Sequence, residues 1–340
     1  MSATVERVMA PRPPRPHVRG LKARRFATRW SSQAGITTAF LLVWLIFTIL
    51  APHTFLHSRI YVSYAETVPY FGIVALGLTM LIVAGDIDLS FSSTFALGMV
   101  GYVGVEHATH NVTLGFLATL VVGALAGMVN GFFVTVIGIP ALVVTIGTQF
   151  LYRGLALVLV DGRSYTVVET EHSIVGRLLV GRWFGVPMQF VWFVIIAVGV
   201  WVLMYRHRIG QNAHVIGDNA QAAGLMGIPI LRTRMILFVL TGMFAALAGA
   251  MNSFQVLNFY ASQGDGYLLP ALAAVFVGGT SVFGGRATVW GTFIGAFLIG
   301  GIEAGIVAVG MKDFYTQLIY GAIILVAVTI HALLRKRLVR

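Results

Sequence analysis

Runs of about twenty apolar residues recur along most of the 340-residue chain, and a helix of that length matches the hydrocarbon core of a bilayer. A water-soluble domain has no place for so many. Its surface takes about 25% charged residues, whereas this chain has 10% charged and 58% hydrophobic residues. The pattern predicts an all-α, polytopic integral membrane protein. Reading apolar runs between polar breaks places about ten transmembrane helices, near residues 35–51, 68–85, 91–108, 113–138, 140–160, 186–205, 235–251, 268–282, 289–310 and 314–334.

The formal net charge of +11 raises the possibility of nucleic acid, but its distribution speaks against that partner. Basic residues collect at the chain ends and in a few links, as orientation signals of a membrane protein do. The stretch 1–33, with Arg7, Arg12, Arg15, Arg19, Lys22, Arg24, Arg25 and Arg29 among its prolines, is expected to be a disordered cytoplasmic tail. Residues 34–335 are expected to form one transmembrane domain with both termini in the cytoplasm. That parity puts the link 206–234, with Arg206, Arg208, Arg232 and Arg234, inside, and the less basic link 161–185 outside. The chain has no cysteine, so disulfides, thiolate metal sites and cysteine nucleophiles are excluded.

Glycines recur every fourth residue at Gly123, Gly127 and Gly131, at Gly291 and Gly295, and at Gly301 and Gly305. Such stripes let helix backbones approach closely, and packing within one bundle is their plainest role. A weak echo links 81–95 with 278–292, each an apolar segment broken by a polar link rich in small residues.

Two segments carry chemistry. In Ile82 to Ser93, IVAGDIDLSFSS, the acids Asp86 and Asp88 stand between the second and third spans. An ionisable side chain there marks a solute pathway, because burying it costs several kcal/mol without a partner. Equally, Asp88 or Ser90 caps the next helix. In the link, Asp218 or Asn219 starts a short helix whose small residues Ala220, Ala222, Ala223 and Gly224 leave room for a partner surface, and Gly227 and Pro229 end it. Candidate groups along a solute path are Asp86, Asp88, Asn130, Gln149, Arg153 and Glu303, with Thr145 and Asn252 beside them. For Asn130 and Thr145 an interhelical hydrogen bond, about 0.6 kcal/mol on average, is the plainer role. Arg153 is harder to dismiss, since a guanidinium within a span faces protein or water unless it snorkels to a nearby interface. His107 and His110 are one turn apart but have only Glu106 as an acidic neighbour, so no metal site is expected.

The order of motifs resembles the permease subunits of bacterial sugar ABC importers of the ribose, xylose, galactose and arabinose type. Ile87 to Ser90, IDLS, is similar to that family's GGIDLS segment, and Pro140 to Gly154, PALVVTIGTQFLYRG, to its PxxxVTLGT…RG segment. Gly217 to Ile228 looks like the loop that such permeases insert into their ATPase, which makes Asp218, Asn219, Ala222, Ala223, Gly227 and Ile228 the coupling residues that the resemblance implies. Gly278 to Gly305 is close to the family's GGTSxFGGxGTxxG stretch. Asp86, Ser92, Ala287 and Glu303 depart from the pattern, and an extra acid at 86 either suits a different polyol or pairs with Arg153 or Arg286.

The resemblance implies a multi-pass permease of the bacterial inner membrane, paired with a second copy or a paralogue, driven by a cytoplasmic ABC ATPase subunit and fed by a periplasmic sugar-binding protein. No GxxxxGK[ST] segment occurs, so ATP and Mg belong to the partner and no cofactor is expected on this chain. A proton-coupled secondary transporter, using Asp86, Asp88 and Glu303 as titrating carriers, is one rival. A branched-chain amino acid permease is a nearer one. A membrane enzyme lacks a nucleophile, base and orienter that converge.

Overall fold

The computed structural model describes residues 35–312 and 314–339. The tail expected over 1–33 lies outside the described residues, as does Arg340. In chain order the main helices are α1 (Gly35–Leu50), α2 (Ser58–Val83), α3 (Phe91–Thr109), α4 (Val112–Phe132, continued by one π turn to Ile137), α5 (Ala141–Leu159) and α6 (Met188–Arg206). Then follow α7 (Arg208–Asp218), α8 (Ala220–Leu225), α9 (Ile230–Val256), α10 (Leu268–Val277), α11 (Val289–Ala308) and α12 (Phe314–Val339). Among the described residues six helices, α2, α4, α5, α6, α9 and α11, are long and apolar enough to cross a membrane. The polytopic helical architecture read from the apolar runs is therefore present.

Two expectations about length need correction. The span placed at 268–282 is a helix of ten residues, about 15 Å long and half a hydrocarbon core. Gly278 and Gly279 end it, the latter at φ +87°. Conversely α2 starts ten residues before its apolar run, because Ser58 to Thr67 is helical while carrying Arg59, Ser63 and Glu66. The fold also departs from purely helical structure in two places. Tyr165–Thr166 pairs antiparallel with Asn258–Phe259, and Arg182–Trp183 with Val186–Pro187.

Helix α2 is the axis of the bundle, with every residue from Val68 to Val83 buried. Helix α9 lies against it and antiparallel: Arg234, in the second turn of α9, meets Asp86 just past the end of α2, and Thr241 Oγ1 donates to Gly77 O at 3.1 Å. The glycine stripe of α4 packs on the same helix. A Cβ at Gly127 would overlap the carbonyl of Phe238, one at Gly123 would meet Gly242 and Ala246, and one at Gly131 would lie 2.7 Å from Met235 Sδ. Gly291 and Gly295 likewise face α10, and Gly305 faces Phe47 of α1. These glycines line internal seams of the bundle, as the packing reading expected, whereas a Cβ at Gly301 would meet nothing within 4 Å. The outer faces of α4 and α5 keep Leu117, Val121, Leu125, Val143, Phe150 and Leu151 exposed, which suits lipid or another apolar surface.

Because α6 separates them, the links 206–229 and 160–187 sit at opposite ends of the bundle. The first end also carries the links 84–90 and 278–288, since Gly285 N–H donates to Val83 O at 2.9 Å.

Candidate functional site

At that first end three sequence motifs meet. Helix α7 buries Gly210, Ala213 and Ile216, spaced by three along one face. Its last turn rests on both membrane links at once: Gly217 lies against the Val83 carbonyl and the Gly285 amide, and Gly284 and Gly285 lie against Gly217 and Asp218. His214 Nδ1 is 2.9 Å from Gly285 O, and Tyr205 OH donates to Ala287 O at 2.8 Å. A Cβ on Gly217 would penetrate Val83 O, and one on Gly285 would overlap the Asp218 carboxylate. Gly284 and Gly285 also adopt φ +81° and +74°, where side chains are strained. Glycine is therefore required there by space and by backbone geometry together.

Helix α8 leaves this joint as expected. Asn219 is its N-cap and accepts from Ala222 N–H at 3.0 Å. Gly227, at φ +74°, donates to Gly224 O, and Ile228 N–H donates to Ala223 O at 3.1 Å, which is a Schellman ending. One expectation fails. Ala223, placed on the partner-facing side, is fully buried, because the capped turn directs it inward. The outward face is instead Leu225, 88% exposed, and Met226, 64% exposed. Asp218 ends α7 rather than starting α8.

Beside the joint, the link 84–90 belongs to no helix or strand and turns at Ala84, Gly85 and Ser90. Asp86 forms an ion pair at 3.1 Å with Arg234 Nε, and Arg234 Nη2 donates to Ala84 O at 3.4 Å. The ion pair lacks hydrogen-bond alignment, so both atoms stay unsatisfied. Burial pushes the Asp86 carboxyl up to about 6, against the opposing pull of Arg234. Neither Arg153 nor Arg286 is its partner.

Asp88 and Asn130 belong to a second, fully buried group. Asp88 Oδ1 accepts from Ser90 N–H at 2.8 Å and Ser90 Oγ at 2.7 Å; Asn130 Nδ2 donates to Ser90 Oγ at 2.7 Å and to Asp88 Oδ2 at 3.3 Å. Tyr152 OH donates to Asn130 Oδ1 at 3.1 Å, and Thr145 Oγ1 to Ile87 O at 3.3 Å. This network ties the link to α4 and α5. Asp88 bonds Ser90 N–H, just before the helix, so it closes the turn that launches α3 rather than capping its first turn.

Gln149 and Arg153 lie further along α5. Gln149 Nε2 donates to Ser92 Oγ at 3.3 Å. Arg153 binds Asp265 and the carbonyls of Ala261, Gln263 and Ser92. Glu303 is elsewhere, on α11, accepting from Tyr320 OH at 3.0 Å. The six pathway candidates thus fall into four separate settings. No short-range pattern marks Asp265, which opens the 3-10 turn Asp265–Tyr267 and lies 112 residues from its partner.

The sequence profile of a family described as the permease component of branched-chain amino acid transport systems matches residues 60–328. The ribose import permease protein RbsC of Bacillus subtilis (strain 168) is 33% identical over 291 residues, covering 85% of this chain and 89% of its own. RbsC of Escherichia coli (strain K12) is 31% identical over 316 residues, covering 91% and 97%. The autoinducer 2 import system permease protein LsrD of Yersinia enterocolitica is 33% identical over 261 residues, covering 76% and 78%. No solved structure matches the chain significantly. With the profile covering most of the bundle and relatives matching nearly end to end, the chain belongs to this family of ABC-importer permease components, multi-pass proteins of the inner membrane.

Proposed function

We propose that the chain is the membrane subunit that passes a monosaccharide or related polyol into the cytoplasm, powered by a separate cytoplasmic ATPase and fed by a periplasmic binding protein. The observation that carries this reading is the joint: a capped two-turn helix presenting Leu225 and Met226 follows directly on Gly217 and Asp218, and Gly217 is pressed, backbone against backbone, on the ends of two membrane elements. A push on α8 reaches the links 84–90 and 278–288 without passing through a flexible side chain. In this reading residues 34–335 form one domain crossing the bilayer about ten times, with α7, α8 and both termini in the cytoplasm. Asp218, Asn219, Ala222, Gly227 and Ile228 shape the coupling helix, Ala223 seats it, and Leu225 and Met226 touch the ATPase. ATP and Mg are held by that partner, and the chain works as a homodimer or beside a paralogous permease.

The names of the relatives, ribose and autoinducer 2 import permeases, favour a sugar-like cargo over a branched-chain amino acid. In proteoliposomes containing the complex with its ATPase and binding protein, uptake of a neutral sugar should require ATP and survive a protonophore. Uptake that outlasts ATP depletion but collapses with the proton gradient would identify a secondary transporter, and uptake of leucine in place of sugar would reassign the cargo. The double variant Leu225→Ser, Met226→Ser should release the ATPase from the membrane while the permease stays folded; retention of the ATPase would sink the docking assignment.

A further inference from the structure

The segment 257–267, between α9 and α10, does not stay at the end of the bundle. Gly264 packs against Ser92 O and Phe95 in the first turns of α3, and a Cβ there would overlap Ser92 O. Gln263, 1% exposed, donates through Nε2 to Asn252 Oδ1 and accepts from Ser253 Oγ at 2.8 Å, while Asn252 Nδ2 donates to Tyr267 OH at 3.1 Å. The segment is re-entrant and its tip is fastened by Arg153. That residue lies six positions, about 9 Å, before the last residue of α5, the end from which the segment enters.

The exposure within the ion pair is lopsided. The Arg153 side chain is 16% exposed, and its two terminal nitrogens are spent on Asp265 and on the carbonyls of Ala261, Gln263 and Ser92. The Asp265 side chain is 56% exposed and binds Arg153 through Oδ1, which leaves Oδ2 to accept from elsewhere. A carboxylate that open, at the depth of a spanning helix, belongs against water rather than hydrocarbon.

We propose that a water-filled solute passage runs along the face of α5 that carries Gln149 and Arg153, with the re-entrant segment 257–267 as its wall and Asp265 as a solute-contacting carboxylate. This deepens, and rests on, the import-permease reading. The wall offers a hydrogen-bond acceptor with negative charge, and the guanidinium beside it is already engaged by the wall itself. The fitting solute is therefore neutral and rich in hydroxyl donors. An anionic solute finds no free cation here, because Arg153 is already paired with Asp265. A single acceptor bond, partly shared with water, guides a neutral solute without trapping it.

The absence of cysteine makes the passage directly testable. Gly266 is exposed, and a Cβ there meets open space, so Gly266→Cys places the chain's sole thiol beside Asp265 with the ion pair intact. In proteoliposomes holding the whole importer, this chain is treated with the cationic reagent MTSET or the anionic reagent MTSES and read by mass. Each rate is divided by that reagent's rate on a free thiol. Both impermeant reagents should react, MTSET about fivefold faster in relative terms, and the preference should vanish or turn towards MTSES when Asp265→Asn leaves Arg153 unpaired. In the chain that keeps Gly266, Asp265→Asn should lower D-ribose uptake about tenfold. Failure of both reagents to modify the introduced thiol would mean the segment faces lipid or protein, and an unchanged charge preference in Asp265→Asn would remove the carboxylate from the passage; either overturns the proposal. If the wild-type importer takes up no neutral sugar while the labelling behaves as described, the cargo assignment fails and the passage stands.

Discussion

The two ends of the bundle are fastened differently. At the end with α7 and α8, the side-chain bonds of Tyr205, His214 and Arg234 flank direct main-chain contact: Gly217, Gly284 and Gly285 bring three chain segments within van der Waals distance, and Gly285 N–H bonds Val83 O. Towards the other end, the segment 257–267 is paired by main chain at its start, through Asn258–Phe259, while its tip is tied mostly by side chains, through Arg153, Gln263 and Asn252. A glycine joint has no rotamer to absorb displacement, so it transmits movement. A joint made of long polar side chains can exchange partners with water or solute, so it yields. The contrast suits a machine driven from one face and opened at the other.

Three substitutions break or sharpen this contrast, in decreasing order of effect. Gly217→Val places side-chain atoms inside the Val83 carbonyl, so uptake should be lost and thermal unfolding in detergent should come earlier, an overpacking cost of about 1–3 kcal/mol. Uptake at the wild-type rate would show that the joint is not tight. Arg153→Leu strands the carbonyls of Ala261 and Gln263 and leaves Asp265 unpaired. Because Asp265 is half exposed, a loss of about 1–2 kcal/mol is expected, together with faster proteolysis within 257–267. An unchanged digestion pattern would mean that the segment is held by other contacts. Gly147→Ala, inside α5 where a Cβ meets nothing within 4 Å, should leave stability unchanged or raise it by up to about 1 kcal/mol, measured on the same melting curve. A loss would show that another chain packs on that face.

The membrane architecture was legible because apolar runs report burial in lipid directly. Helix ends were less so, because hydropathy does not see hydrogen bonds. The apolar stretch through Val282 hid the stop at Gly278 and Gly279, and the polar stretch before Val68 hid ten residues of helix. Asn219 and Gly227 bounded α8 correctly, since capping is local chemistry. The inward turn of Ala223 was not readable, because small residues suit both a partner surface and a tight internal seat. Helix α7 was missed for its polar composition, although Gly210, Ala213 and Ile216 already had helical spacing. Among the site residues, Gln149 and Arg153 were singled out, but Asp265 was not. Its role depends on a loop folding back into the bundle, which no short-range pattern announces.

The glycine seam between α4 and α9 has its own consequence for motion. With Gly123, Gly127 and Gly242 pressed onto facing main chain, these two helices cannot slide or roll past each other without breaking contacts along several turns. They travel as a single strut. Whatever displacement lets cargo through must part the molecule along some other boundary; α5, for one, meets the strut through the Tyr152 hydroxyl at Ala126 and Asn130 rather than through a glycine seam.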